Sequence, residues 1–140
     1  MYLILDLGNT NKKIAVLPAG VLLPEEFAGM QDQVVSFPEI SLRWVREFTS
    51  RNPSIEACIL SSVVSFPASI SGWLKKRVRY LELDHHTALP IINRYRSPET
   101  LGNDRLAAAV AGAAIYPGLP VLVINAGTAI TYDLVTAGGE

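Results

Sequence analysis

An α/β domain built on a mixed sheet is the fold class this sequence predicts, and three observations carry the prediction. Two β-prone runs, residues 2–7 and 13–17, flank Gly8-Asn9-Thr10 in a hairpin pattern. Strand-like apolar runs then alternate with helix-like segments, the pattern of crossover units that make parallel strands. Of the 140 residues, 49% are apolar and 18% charged, which suits a buried core and excludes intrinsic disorder.

The elements follow in order. Pro18 and Gly20 mark a turn after the hairpin, residues 21–27 add a third strand, and 28–39 read as a loop with Gly29 and Pro38. Residues 40–50 read as a helix, because Ile40, Trp44 and Phe48 recur every four positions with Val45 beside them. Asn52-Pro53 ends it. Ile55–Val64 is rich in β-branched residues with little alternation, as in a strand buried on both faces. Pro67–Arg77 is a short helix with proline near its first turn. Val78–Leu83 alternates apolar with charged residues, as in a strand nearer an edge. Residues 84–100 are polar and irregular. A helix over 103–115 carries six alanines that allow close approach to a sheet. Strands over Val121–Asn125 and 129–135 flank a turn at Ala126-Gly127-Thr128. The order is βββαβαβα followed by a further hairpin.

Charge and composition bound the partners. Lysine plus arginine number 12 and aspartate plus glutamate 13, a net charge of −1, so a broad basic field for nucleic acid is absent. The one basic cluster, Lys75-Lys76-Arg77 with Arg79, reads as a solvated helix end. Cys58 is the only cysteine and sits in an apolar run, so it reads as a small core hydrophobe in a reducing, cytoplasmic compartment. The start, Met1-Tyr2-Leu3-Ile4-Leu5-Asp6, lacks the basic n-region of a secretory signal. Residues 106–132 carry no charge over 27 positions, long enough to span a bilayer, but Pro117-Gly118-Leu119-Pro120 divides them. A buried helix, a turn and a buried strand are expected there, with no membrane partner.

Three places hold residues suited to chemistry. At the first turn, Gly8 lets backbone N–H groups approach an anion, and Thr10 adds a hydroxyl. Lys12 or Lys13 adds positive charge, and Asp6 a carboxylate for a divalent cation bridging phosphates. These are the parts of a triphosphate site without the Walker A spacing; the same residues also make an ordinary hairpin turn. The second turn, Asn125–Thr128, echoes the first: a polar residue at the strand end, a spacer, glycine, then threonine. The third place is Pro98-Glu99-Thr100-Leu101-Gly102-Asn103-Asp104-Arg105. Asp104 suits either a helix N-cap or a proton acceptor. Arg105 opposes the dipole in a first turn, so it calls for a carboxylate partner or an anionic substrate. Asp84-His85-His86 has no zinc spacing, Ser61, Ser62 and Ser65 lack a nucleophile-elbow motif, Trp44 and Trp73 read as packing residues, and Asp133 has no evident partner.

Taken in order, three motifs resemble one family. Asp6-x-Gly8-Asn9-Thr10-x-x-Lys13, then Tyr95-x-x-Pro98-x-x-Leu101-Gly102-x-Asp104-Arg105, then Asn125-Ala126-Gly127-Thr128-Ala129 are similar to those of the type III pantothenate kinases. That family belongs to the actin, Hsp70 and sugar-kinase superfamily. The resemblance implies a ribonuclease H-like, actin-like ATPase fold with a mixed five-stranded sheet flanked by helices. Residues 1–118 would form the N-terminal lobe and 119–140 the first hairpin of a similar second lobe, the family's chain being nearly twice as long. It implies ATP-dependent phosphorylation of pantothenate to 4′-phosphopantothenate, the first step toward coenzyme A, with this piece inactive by itself. In that reading Asp6, Leu7, Gly8, Asn9, Thr10, Asn11, Lys12 and Lys13 form the first phosphate turn, with Asp6 near Mg²⁺, and Thr128 contacts ATP. Asp104 accepts the proton of the substrate hydroxyl. Tyr95, Gly102, Asn103, Asp104 and Arg105 hold pantothenate, Arg105 through its carboxylate. The family works as a homodimer and usually has aspartate at position 125, helping to hold K⁺ or NH₄⁺; Asn125 keeps a carbonyl ligand but loses the charge. The alternative is a non-catalytic nucleotide-binding or regulatory relative on the same fold.

Overall fold

The computed structural model describes residues 1–20, 34–37, 39–127 and 129–140, and the expected strand over 21–27 lies outside them. The chain divides into two compact units, Met1–Leu83 and Asp84–Glu140.

The first unit holds a five-stranded sheet. Its strands are β1 (Tyr2–Leu7), β2 (Lys12–Leu17), β3 (Val35–Phe37), β4 (Ala57–Ser62) and β5 (Arg79–Glu82), in spatial order β3-β2-β1-β4-β5. β1 pairs antiparallel with β2, and β2 with β3, whereas β4 runs parallel to β1 and β5 parallel to β4. This is the mixed sheet expected of a ribonuclease H-like lobe. The third strand falls in the stretch read as loop. It is three residues long and, among the described residues, pairs with β2, so it offers too little alternation to read.

Among the described residues, two helices close over one face of the sheet, α1 (Leu42–Arg51) and α2 (Ala68–Lys75). Ser41 caps α1 by accepting the Trp44 N–H at 3.2 Å, and Asn52 ends it by donating from Nδ2 to the Phe48 carbonyl at 2.9 Å. The core between sheet and helices is Leu3, Leu5 and Leu7 of β1, Ile14 of β2, Cys58 and Leu60 of β4, Val45 of α1, and Ile70 and Leu74 of α2. Trp44 and Trp73 pack against it, and Arg46 and Arg77 stack on the Trp73 ring. Lys75, Lys76, Arg77 and Arg79 are exposed at and after the end of α2. β4 is less enclosed than its composition suggests: Cys58 and Leu60 are buried, while Ala57 and Ile59 on the other face are half-buried. Burial pushes the Cys58 thiol pKa up to about 12, so the side chain stays a neutral hydrophobe.

The second unit begins with irregular chain, including a 3₁₀ turn at Pro98–Thr100, and continues into α3 (Asn103–Ile115). A hairpin of β6 (Val121–Ala126) and β7 (Ile130–Val135) follows, and α3 packs on both strands. Gly112 permits that approach, since a Cβ there would lie 3.1 Å from Val121 Cγ1 and 3.2 Å from Val123 Cγ2. The uncharged stretch is thus helix, turn and strand, and no described helix is long and apolar enough to cross a membrane.

Candidate functional site

The first turn is a four-residue connection from Leu7 to Lys12, closed by the Gly8 N–H donating to the Asn11 carbonyl at 3.1 Å. Glycine is required here by space, since a Cβ at position 8 would sit 2.9 Å from the Asn11 oxygen. Asn9, Thr10 and Asn11 are exposed, so the hydroxyl of Thr10 is open to a ligand. Asp6 lies within β1, half-buried, and its cross-strand partner is Lys13. Lys12 lies opposite Leu7, on the other face of the sheet. Of the two lysines the sequence left open, Lys13 is therefore the one that shares a face with Asp6. A carboxylate, a lysine and a turn of backbone donors thus stand together at one end of the β1–β2 hairpin.

The second turn repeats this layout with neutral groups. Asn125 lies within β6, two residues before Gly127, and its partner across the hairpin is Thr131. Asn125 Nδ2 and Thr131 Oγ1 are buried and have no hydrogen-bond partner among the described residues. The Gly127 N–H donates to the Ala129 carbonyl at 3.1 Å. A Cβ on Gly127 would meet nothing nearer than 4.0 Å, so sterics do not demand glycine there. Thr128 lies outside the described residues.

The third region is the start of α3. Its N-cap is Gly102, with no side-chain capping bond, and Asn103 and Asp104 are the first two helical residues. Asp104 is therefore not the cap; it is exposed in the first turn, where the helix dipole favours its charge. Arg105, the third helical residue, has the carboxylate partner its position calls for. Its Nε donates to Asp133 Oδ2 at 3.0 Å and its Nη2 to Asp133 Oδ1 at 2.6 Å. The Asp133 hydrogen bonds raise the guanidinium pKa above its ordinary value, outweighing partial burial, and the Tyr95 hydroxyl adds to the rise. The Tyr95 ring centre lies 5.4 Å from Arg105 Cζ. Tyr95, Leu101, Arg105, Tyr132 and Asp133 line a cleft of about 340 Å³, the size of a small-molecule site.

Tyr95 and Arg105 are thus brought together by the second unit, with Asp133 as the member that sequence reasoning missed. Its partner lies 28 residues away on another element, and the only signal was an acidic residue inside an otherwise apolar strand. Arg94 and Glu140 also line the cleft, paired with each other at 2.7 Å. The exposed rings of His85 and His86 lie against each other, with centroids 3.9 Å apart. Among the described residues, no three His, Cys, Asp or Glu side chains cluster as a metal site.

Comparison with known proteins places these observations in a family. The family model described as type III pantothenate kinase matches residues 2–140. The type III pantothenate kinase of Christiangramia forsetii is 40% identical over 136 residues, covering 97% of this chain and 53% of the relative. Those of Phocaeicola vulgatus and Bacteroides fragilis are 37% and 38% identical over 99% and 100% of this chain and 54% of each relative. The chain spans about half the length of the curated relatives it matches. With the mixed five-stranded sheet, its flanking helices and the ordered motifs, the match establishes that the chain belongs to the type III pantothenate kinase family.

Proposed function

We propose that the protein phosphorylates pantothenate from ATP, giving 4′-phosphopantothenate and ADP on the route to coenzyme A. The observation that carries the reading is the cleft of the second unit. A substrate carboxylate and a substrate hydroxyl need different groups: Arg105 lines the cleft, while Asp104, the residue before it in α3, is exposed outside that lining and supplies the proton acceptor. The pantothenate hydroxyl oxygen attacks the γ-phosphorus, its proton passes to Asp104, and the bond from γ-phosphorus to the bridging oxygen breaks to release ADP. Arg105 and Tyr95 orient the substrate through its carboxylate, with the backbone of Gly102 and Asn103 beside it. The turn from Asp6 to Lys13 and the turn ending at Thr128 receive the phosphates of ATP.

A single carboxylate at the end of β1 fits Mg²⁺, which takes one or two protein carboxylates and completes its shell with phosphate and water. Asp6 would hold it; when bound, the ion neutralises charge on the β- and γ-phosphates. Position 125 does not fit a monovalent cation in the same way. Asn125 offers a neutral amide, and its orphaned atom is a donor, so no step runs through K⁺ or NH₄⁺. The remaining assignments rest on the family: a cytoplasmic homodimer, with residues 1–118 as the first lobe and 119–140 opening a second. Turnover in this reading needs the C-terminal half that the relatives carry.

The test is Asp104→Asn in a full-length version, this sequence continued by the C-terminal half of its relatives. Loss of a general base lowers kcat by about 10²–10⁴-fold, with ATP binding intact. Unchanged turnover sinks the assignment of the base.

A further inference from the structure

We propose that Asp133 is a positioning residue that fixes the Arg105 guanidinium for the substrate's carboxylate; the inference rests on the pantothenate kinase reading above. The guanidinium is a planar fork with five N–H donors. Asp133 takes one edge of it, through Nε at 3.0 Å and Nη2 at 2.6 Å. The Nη1–Nη2 edge is the other edge that can receive a carboxylate with two parallel hydrogen bonds, and the Tyr95 hydroxyl lies within reach of the same guanidinium.

Three features hold that edge still. Asp133 sits inside β7, paired in register with Val123 of β6, so its Cα is fixed by the hairpin ladder. Arg105 is in the first turn of α3, and α3 packs on both strands of that hairpin. The Tyr95 ring stands beside the guanidinium, 5.4 Å from Cζ. The two charged side chains are only 21% and 17% exposed, so solvent competes weakly for the pair. A free arginine on a helix surface would sample many rotamers and lose that freedom on binding. Here the ordering is done before the substrate arrives. The pair is also neutral overall, so the cleft selects for a carboxylate by the geometry of the remaining edge rather than by bulk positive charge.

The test is steady-state kinetics of Asp133→Asn, Asp133→Glu, Arg105→Lys and the Asn/Lys double variant in the full-length version, with thermal unfolding of each. Asp133→Asn is expected to raise KM for pantothenate about tenfold, leaving kcat and KM for ATP within about twofold. Asp133→Glu restores the charge but moves the fork by one methylene, so KM is expected to stay raised. The double variant is expected to be no worse than Arg105→Lys, because Asp133 acts only through the arginine. An unchanged or lowered pantothenate KM in Asp133→Asn overturns the proposal, as do full recovery by glutamate, additive losses, or equal losses for both substrates. A wild-type protein with no pantothenate turnover overturns the kinase reading and this proposal together. Wild-type turnover with an indifferent Asp133→Asn overturns only the role of Asp133.

Discussion

Replacing Gly8 with alanine separates the two turns that look alike in sequence. The added Cβ falls 2.9 Å from the Asn11 carbonyl oxygen. Ordinary contact begins near 3.4 Å, so the loop must open by about half an ångström. The atom that must move is also the acceptor of the Gly8 N–H at 3.1 Å, so relieving the clash weakens the bond that closes the turn. Overpacking costs about 1–3 kcal/mol and a weakened hydrogen bond about 0.5–1.5 kcal/mol. Reduced freedom of the unfolded chain offsets about 0.4–1 kcal/mol. Gly8 is not among the positive-φ glycines, so left-handed strain adds nothing. The net is a loss of about 0.5–4 kcal/mol, centred near 2. At roughly 4–8 °C per kcal/mol for a domain of this size, the central value of about 2 kcal/mol should lower the melting point of the first unit by some 8–16 °C. A phosphate turn displaced on this scale should also lower kcat/KM for ATP by about 10–100-fold. Gly127→Ala is the control: its nearest neighbour is at 4.0 Å, so stability should stay within about 0.5 kcal/mol. Circular-dichroism melts of the 140-residue chain and coupled ADP-release kinetics of the full-length version read the two effects. Gly8→Ala melting with the wild type at unchanged ATP kinetics would refute both the steric argument and the assignment of the turn.

Three further predictions concern position 125 and the core thiol. Wild-type turnover should be indifferent to replacing K⁺ with Na⁺, whereas Asn125→Asp should create a dependence on K⁺; a wild-type rate that collapses without K⁺ contradicts the reading of this position. Cys58 should react with an aromatic disulfide at pH 8 only as fast as the first unit opens, and rapid stoichiometric labelling of the native chain would contradict its burial. Because the Cys58 pKa is raised from 9.0 to about 12 in the fold, its contribution to stability is complete below pH 9 and lost as pH rises toward 12. Urea melts across that window should fall less steeply for Cys58→Ala than for the wild type.

The regular elements were legible because local signals and packing agree. The β-prone run of β1, the four-residue period of Ile40, Trp44 and Phe48, and the glycine and proline boundaries each lie within a few residues of the element they announce. β3 was not legible: three residues carry no periodicity, and only the register against Lys12–Ile14 makes them a strand. At the site, Gly8, Tyr95, Asp104 and Arg105 could be named from ordered motifs. The choice of Lys13 over Lys12 needed the register of β1 with β2. Asp104 looked like a cap because caps are commonly acidic, but the backbone places the cap at Gly102. Asp133 became meaningful only once α3 lay on the β6–β7 hairpin, since no local pattern couples residues 105 and 133.

Phosphoryl transfer from ATP to pantothenate is decided by identifying the product. The full-length version incubated with Mg²⁺, ATP and pantothenate should yield 4′-phosphopantothenate by mass spectrometry, in amounts equal to the ADP formed. Nucleotide binding with neither product would rule out the kinase function and assign the chain to a non-catalytic nucleotide-binding branch of the fold.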